Sequence, residues 1–489
     1  MLAAVASYLE DDASLVVATH VCYLWRTALL ASPHLWSHLG FASQRRALAF
    51  LERSKSVPLR VDLEGAGIPS EVAMESLSRI APRITALQGE DTLFLQKLLR
   101  HSVPAMRTLV VSRVVGKITP VIIFKDFPSL TSVVISGEGA VPFYAPHLTT
   151  FHFTYRTGSH FPHKVDGQLL YIIGNSPLLE VVSLYYGETR MDIDPATEEF
   201  FSPPRLRSFT HDSSHDRYHL ALFNQLSLPS TCRVAFVIDA VPNCLHTWGP
   251  VVSAIRDPSY LGIKRIRIGI HEDPTAYTRL RLELVRSGNA ITSFDMRFYP
   301  SPGRPNYSPD FLDFLGKIRN SSIETACFHR FFQSREPVTS IMIREHISRE
   351  LQKLRNLKTL ILSQCVLAPF LDVLLPCERW CPTIEMLVIH SNRMSAPYPY
   401  EYDLVDRVQE IARLRSEAGF RLKALILVLR DTGESSGPLE RLKERRVELE
   451  QLRDCVGWLK VVTGDEALSW DVDKDFLGNH DGILSKLNI

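Results

Sequence analysis

The segment NLKTLIL, residues Asn356–Leu362, contains the pattern that decides the fold of this chain. Leu357 is followed by two other residues, then by Leu360, one further residue and Leu362. The closing apolar-x-apolar pair has the period of two that places both side chains on one face of a β-strand. The same pattern begins at Met106, Leu130, Leu148, Leu179, Leu206, Cys232, Ile263, Ile291, Ile323, Leu357, Ile384, Leu422 and Val456.

Successive copies of this pattern begin 18 to 38 residues apart. A repeat of this length around an apolar strand is typical of a leucine-rich-repeat solenoid. Helix-like segments lie between several copies, among them ESLSRIAPRI at 75–84, REHISRELQKL at 344–354 and DRVQEIARLR at 406–415. The sequence therefore predicts an α/β fold in which each repeat supplies one short parallel strand and one outer helix.

A second informative segment is HVCYLWRTALLASPHLW, residues His20–Trp36. From the N-cap residue Asp12 onward, apolar residues recur at helical spacing along two neighbouring stripes. One stripe holds Leu15, Ala18, Cys22, Trp25 and Leu29, and the other holds Val17, Val21, Leu24 and Ala28. A helix that is apolar over so much of its circumference needs neighbours on two sides. We therefore expect a continuous helix from Asp12 to the Ser32-Pro33 break, with short helices LAAVASYL before it and HLWSHL after it.

A helical bundle of about forty residues without a metal or a disulfide usually needs a partner. The pattern from Leu2 to Trp36 resembles an F-box, and the positions that carry the resemblance are Val21, Cys22, Trp25, Arg26, Pro33, Leu35 and Trp36. The family's opening Leu-Pro-x-Glu element is absent from the sequence. The resemblance implies a substrate-recruiting subunit of an SCF-type cullin–RING ubiquitin ligase, which binds a Skp-family adaptor. The adaptor-binding positions that it implies are Leu2, Val5, Leu9, Leu15, Val21, Cys22, Trp25, Leu35 and Trp36.

The remainder of the chain resembles the degenerate leucine-rich-repeat-like part of fungal-type F-box proteins. In those proteins a segment such as ALAFLERSKSVPLRVDL, here Ala47–Leu63, joins the two parts. We therefore expect a three-helix F-box-like bundle at 1–40, a connecting helix and first strand at 41–64, and an irregular solenoid at 65–489. An alternative is a non-catalytic leucine-rich-repeat scaffold whose decayed F-box does not bind the adaptor.

Composition narrows the classes of function. Fifty-five basic residues against fifty-four acidic ones leave a formal charge of +1, so no global field indicates a nucleic-acid or membrane partner. The eight cysteines are irregularly spaced, unlike a disulfide framework. The segment MLAAVASYLEDD has no basic n-region, and no uncharged apolar run of about eighteen residues is present. The sequence predicts a cytoplasmic or nuclear protein that is not secreted.

One segment matches a catalytic motif. Residues 433–437 read GESSG, the nucleophile-elbow pattern with Ser435 at its centre, after a predicted strand and before a predicted helix. However, Asp431 and Thr432 separate the motif from the strand, and Pro438 opens the helix. A polar loop is favoured, and a serine hydrolase using Ser435 is only a remote alternative.

A histidine cluster is a candidate metal site. His211, His215 and His219 are four residues apart and could share one helical face, a spacing that suits zinc. The segment THDSSHDR nevertheless has the composition of a polar turn, and Cys377 and Cys381 have no second pair nearby. We therefore predict no metal, no cofactor and no catalytic residue in this chain.

The strands of a solenoid also suggest where a client protein would bind. Side chains between the buried strand positions point away from the core, and the candidates are His152, Tyr185, Arg265, Arg267, Asp295, Arg297 and His329. Arginine binds carboxylates and phosphates in a bidentate manner. The resulting hypothesis is an acidic or phosphorylated client segment on the middle strands, against the alternative that these charges only solubilise the face.

Overall fold

The computed structural model divides the chain into two compact units, Met1–Ala235 and Phe236–Ile489. The residues that it describes are 2, 5, 12–64, 71–90, 98, 101–114, 127–137, 145–155, 165–186, 202–213, 226, 228–229, 231–240, 263–272, 278–286, 291–298, 323–329, 351, 354–363, 370–371, 374, 383–391, 404–429 and 446–463. The expected division at residues 40 and 64 stays a prediction.

The first unit contains a sheet whose strands follow one another in chain order. Its strands are β1 His38–Gly40, β2 Leu59–Asp62, β3 Ile84–Gly89, β4 Thr108–Val114, β5 Ser132–Gly137, β6 Thr150–Tyr155, β7 Val181–Tyr186 and β8 Ser208–Ser213, and β9 Arg233–Ala240 begins in this unit and ends in the second. From β1 to β8 each strand pairs in parallel with the next. The amide of Arg233, at the start of β9, donates to the carbonyl of Arg207 at 2.8 Å.

Five described helices belong to the first unit: α1 Asp12–Ala18, α2 Tyr23–Leu30, α3 Gln44–Ser54, α4 Glu71–Ile80 and α5 Val165–Gly174. The predicted helix-like segment at 75–84 is α4 in its first part, but Ala81–Arg83 is a 3₁₀ turn and Ile84 opens β3. Arg83 fixes the end of α3, because its guanidinium donates to the carbonyl of Val57 at 2.8 Å and to Ser54 Oγ at 2.9 Å. Burial lowers the pKa of this guanidinium.

The second unit combines an antiparallel meander with a parallel series. Its strands are β10 Ile263–Glu272, β11 Thr278–Arg286, β12 Ile291–Phe298, β13 Thr325–His329, β14 Thr359–Ser363, β15 Met386–Ser391, β16 Ala424–Leu429 and β17 Leu459–Thr463. β10, β11 and β12 pair antiparallel, whereas β10 pairs in parallel with β13 and the series continues in parallel to β17. The helices described here are α6 Leu404–Glu417 and α7 Arg446–Cys455.

One local structure recurs before the parallel strands. The first apolar residue of a repeat donates its amide to the carbonyl three residues earlier, as in Leu130 to Phe127 at 3.1 Å and Leu357 to Leu354 at 3.0 Å. This turn places the leucine in the core, where both residues are fully buried. The backbone then enters the strand, and its amides bond the carbonyl that precedes the neighbouring strand. The predicted pattern is therefore a buried turn residue followed by a strand.

The α/β class with parallel strands is confirmed, and each of the predicted repeat starts lies just before a strand or at its first residue. Two expectations were wrong. Between the copies at Ile263 and Ile291, where a helix was expected, lies β11, which pairs antiparallel with β10 and β12, although β10 itself pairs in parallel with β13. HLWSHL is also not a helix, because Pro33–Trp36 is a 3₁₀ turn and His38–Gly40 is β1, a strand earlier than expected.

Candidate functional site

The N-terminal helical segment is interrupted rather than continuous. Thr19 Oγ1 donates to the carbonyl of Val16 at 2.6 Å and its amide donates to the same carbonyl at 3.0 Å, which ends α1. Cys22 is extended and precedes α2. The continuous helix expected from Asp12 was therefore wrong, and the segment forms two short helices.

One side of this helix pair packs into the first unit. Leu15, Ala18 and Leu29 are buried, and so is Trp36. The indole Nε1 of Trp36 donates to the carbonyl of Leu29 at 2.9 Å. The ring of Phe50 meets the indole edge-on at a centroid distance of 4.9 Å, and the guanidinium carbon of Arg53 lies 4.6 Å from the ring centroid. Trp36 thus joins α2 to α3, and it has no surface that a partner could contact.

The other side of the helix pair is apolar and exposed. We call Val17, Val21, Tyr23 and Leu24 the N-terminal apolar face, and their exposed fractions are 65%, 64%, 84% and 67%. Three of these four residues belong to the second predicted stripe. Soluble proteins seldom expose several large apolar side chains together unless the surface binds something. Among the residues that the structure describes, the N-terminal apolar face is therefore a surface suited to binding an apolar partner.

The implied adaptor positions fall into four groups. Val5, Val21 and Cys22 are exposed, and Leu2, Trp25 and Leu35 are partly exposed. Leu15 and Trp36 are buried, so their side chains support the helix pair from within. Leu9 lies outside the described residues. Tyr23, Leu24 and Val17 were not among the implied positions, although the helical spacing of the second stripe identified two of them.

A second surface is formed by the non-core side of β4–β8. The strand registers align its side chains in three rows across the sheet. The rows are Thr108, Ser132, Thr150, Val181 and Ser208; Val110, Val134, His152, Ser183 and Thr210; and Ser136, Thr154, Tyr185 and Asp212. We call these fourteen positions the hydroxyl face, because eight of them are serine or threonine.

The hydroxyl face is open and almost uncharged. Most of its side chains are partly exposed, Ser183 is buried and Tyr185 is 40% exposed. Asp212 is the only acidic residue among the fourteen, and lysine and arginine do not occur among them. Burial lowers the pKa of His152, so this imidazole is neutral near physiological pH. The face can therefore exchange hydrogen bonds but cannot neutralise an anion.

The corresponding side of β13–β16 in the second unit is buried. Cys327, Ile361, Val388, Ile426, Val428 and Val462 form an apolar cluster, against which Met386 and Trp458 pack. We call these six buried residues the C-terminal apolar cluster. Cys327, Ile361, Val388 and Ile426 take the strand position of the middle row of the hydroxyl face, where the first unit has Val110, Val134, His152, Ser183 and Thr210. The two sheets therefore differ at this position chiefly in burial.

A buried polar row borders the C-terminal apolar cluster. Ser363 Oγ lies 3.0 Å from His329 Nδ1 and 2.9 Å from His390 Nδ1, and all three residues are buried. A serine hydroxyl carries one proton, so it can donate to at most one of the two imidazoles and must accept from the other. At least one of the two rings therefore carries a proton on Nδ1. His329 was expected at a client surface, and its burial removes it from one.

The other predicted client positions divide between the units. His152 and Tyr185 lie on the hydroxyl face. Arg265 and Arg267 lie on β10, and Asp295 and Arg297 lie on β12, but their side chains are outside what the structure describes. The hypothesis of a basic patch on these strands stays a prediction.

The candidate chemical motifs have separate outcomes. Ser435, Cys377, Cys381, His215 and His219 lie outside the described residues. His211 is buried within β8, so it is not on a helical face as the sequence spacing suggested. Within the described ranges, no group of three or more His, Cys, Asp or Glu side chains is placed to hold a metal ion.

No helix among the described residues is long and apolar enough to cross a membrane. No protein-family model matches the chain, and no curated protein matches its sequence.

Proposed function

We propose that this protein is a substrate-recruiting F-box subunit of an SCF-type cullin–RING ubiquitin ligase. Its N-terminal helix pair binds a Skp-family adaptor, and its strands form an irregular leucine-rich-repeat solenoid that binds a client protein. The protein itself contributes no catalytic residue. It brings the client to an enzyme that the adaptor and cullin hold nearby.

The N-terminal apolar face is the observation that carries the proposal. Of the eight large apolar side chains that stand out as exposed among the described residues, five precede residue 25: Val5, Val17, Val21, Tyr23 and Leu24. Fully burying one such side chain is worth about 1.5–3 kcal/mol, so a partner that covers several of them gains substantial affinity. The face coincides with the segment whose Val-Cys-x-x-Trp-Arg motif resembles the F-box.

The solenoid part of the proposal is supported by the regular succession of strands. From β1 to β8 and from β13 to β17, each strand pairs in parallel with the next along the chain. Consecutive parallel neighbours are what stacked repeats produce, since each repeat contacts the one before and the one after it.

Adaptor binding tests the proposal directly. Purified full-length protein is titrated against an immobilised Skp-family adaptor, and Tyr23→Asp is compared with Tyr171→Asp. Both tyrosines are exposed on helices, but only Tyr23 belongs to the N-terminal apolar face. We expect Tyr23→Asp to weaken binding about a hundredfold, because a charge would be desolvated in an apolar contact, and Tyr171→Asp to leave it unchanged.

Wild-type protein that binds none of the Skp-family adaptors tested would contradict the ligase function and favour the scaffold alternative. Equal effects of the two substitutions would show that binding does not use this face.

A further inference from the structure

We propose that the hydroxyl face is the client-docking surface and that it binds an extended, uncharged, unphosphorylated polypeptide segment rich in serine, threonine, asparagine and glutamine. The inference rests on the proposed function in treating the bound segment as a client. The binding step itself does not require the adaptor.

The charges of the face select against an anionic segment. Recognition of phosphate or clustered carboxylates uses arginine or lysine donors, and the fourteen positions hold neither. An anionic segment would instead meet Asp212 and a neutral imidazole, because burial keeps His152 deprotonated. A cationic segment would find a single carboxylate. An uncharged segment loses least on leaving water for this surface.

The side chains of the face select a polar partner rather than an apolar one. Serine and threonine hydroxyls both donate and accept, so they suit the hydroxyl and carboxamide groups of an uncharged segment. The apolar members are Val110, Val134 and Val181, which are too few and too small to form a groove for a large anchor. Tyr185 is the largest exposed side chain of the face, and a tyrosine ring supplies contact area at a small entropic cost.

The spacing of the rows matches an extended polypeptide. Alternate residues of a strand are about 6.6 Å apart, so the three rows repeat at that distance along the strand direction. An extended segment that runs along the strands has the same spacing between its own alternate side chains. Successive inward-facing residues of the segment can therefore meet successive rows, for example Thr150, His152 and Thr154 of β6.

Panning a phage library of random linear peptides against the full chain tests the inference. The enriched peptides are resynthesised, and their affinities are measured for wild type, Thr154→Arg, Thr154→Glu and the control Ser78→Arg, which places the same charge on α4. We expect enrichment in Ser, Thr, Asn and Gln without enrichment in Asp or Glu. Both changes at Thr154 should weaken binding about tenfold, because each adds a charge that an uncharged segment cannot pair, and Ser78→Arg should not.

A second measurement tests whether the hydroxyl face disfavours negative charge on the peptide. Phosphoserine introduced into the strongest peptide should weaken binding several-fold. Acidic peptides that bind more tightly to Thr154→Arg, tighter binding of the phosphopeptide, or the absence of any enriched peptide would each overturn the inference. So would an oligosaccharide from a glycan array that binds wild type but not Thr154→Arg while no peptide binds.

Adaptor titrations of the same proteins keep the two proposals apart. Thr154→Arg should bind the adaptor like wild type, since β6 is not part of the N-terminal apolar face. Peptide binding without adaptor binding would contradict the ligase function and leave the docking surface standing. Adaptor binding without peptide binding would do the reverse.

Discussion

The sheets of the two units share one strand repeat but differ in how far their second side is exposed. In β5 and β6 most non-core positions are partly exposed, whereas in β13–β16 most are buried, with polar residues such as Thr359, Ser363 and His390 beside the C-terminal apolar cluster. The strand-entry residues differ less. Thr131 and Thr149 donate hydroxyl protons to neighbouring carbonyls in the first unit, but Glu180 and Arg207 form an ion pair there, as Lys264, Glu324 and Lys358 do in the second. The repeated strand therefore requires apolar residues on the core side, whereas the residues and burial of the other side can differ between the two units.

The largest expected effect comes from placing a charge at matched positions of the two sheets. Val388→Asp should cost about 4 kcal/mol of unfolding free energy, because it buries an unpaired carboxylate in the C-terminal apolar cluster. Val134→Asp, at the partly exposed middle row of the hydroxyl face, should cost about 1 kcal/mol or less. Hydrogen exchange read by mass spectrometry reports each unit separately. Equal losses of protection would show that the two sides do not differ as described.

An intermediate effect is expected from two serines. Ser363→Ala removes the hydroxyl shared by the buried imidazoles of His329 and His390 and should cost about 1–3 kcal/mol, as for other buried hydrogen-bonding groups that lose a partner. Ser136→Ala should be nearly neutral, because Ser136 Oγ is buried with no hydrogen-bond partner among the residues described. Urea denaturation of both variants measures the difference. A neutral Ser363→Ala would contradict a stabilising role for the row.

The smallest effect concerns pH. The hydrogen bond from Lys264 lowers the pKa of Glu324, and the charges of Lys264 and Lys358 act in the same direction. A carboxyl whose pKa is depressed by folding contributes stability above its unfolded pKa and loses it as the pH falls through the folded value. Glu324→Gln should therefore cost less than about 1 kcal/mol near neutral pH, since the pair is partly exposed, and the cost should vanish in acid.

The matched control for Glu324 is Thr149→Val in the first unit. Thr149 Oγ1 donates to the carbonyl of Thr131 at 3.0 Å, and neither group titrates. The substitution should cost about 0.5–1 kcal/mol at every pH. Urea midpoints collected between acid and neutral pH compare the two variants. A cost of Glu324→Gln that persists in acid would mean that the lysine contacts do not stabilise the folded unit.

The repeat pattern predicted the strands well because it records burial. Leu109, Val133 and Leu360 are in the core, as their spacing requires. The antiparallel meander was missed for the same reason. In β10 the sequence IRIGI alternates apolar and other residues, and any strand with one buried side satisfies apolar-x-apolar whatever the direction of its neighbour. Strand direction depends on the connections between strands, which the local pattern does not contain.

The N-terminal surface was predicted in part. The two stripes correctly indicated a segment that is apolar on two sides, since Leu29 is buried and Leu24 exposed. The motif could not indicate that Trp36 is enclosed, because that depends on Phe50 and Arg53 of a later helix. The spacing of apolar residues also could not predict the break between α1 and α2, because the break depends on the hydroxyl of Thr19, which donates to a backbone carbonyl. The hydroxyl face appeared only when the registers aligned residues from five strands.

The enclosure of Trp36 has a mechanical consequence. The indole nitrogen bonds the carbonyl of Leu29 in α2, and the indole ring contacts Phe50 and Arg53 of α3. Trp36 therefore fixes α2 to α3 and to the start of the sheet. A partner seated on Val17 and Leu24 would then be fixed in orientation relative to β1 and β2, with no freely rotating tether between them. The distance between that partner and a molecule bound to a later strand of the first sheet would then be set by the folded chain between them.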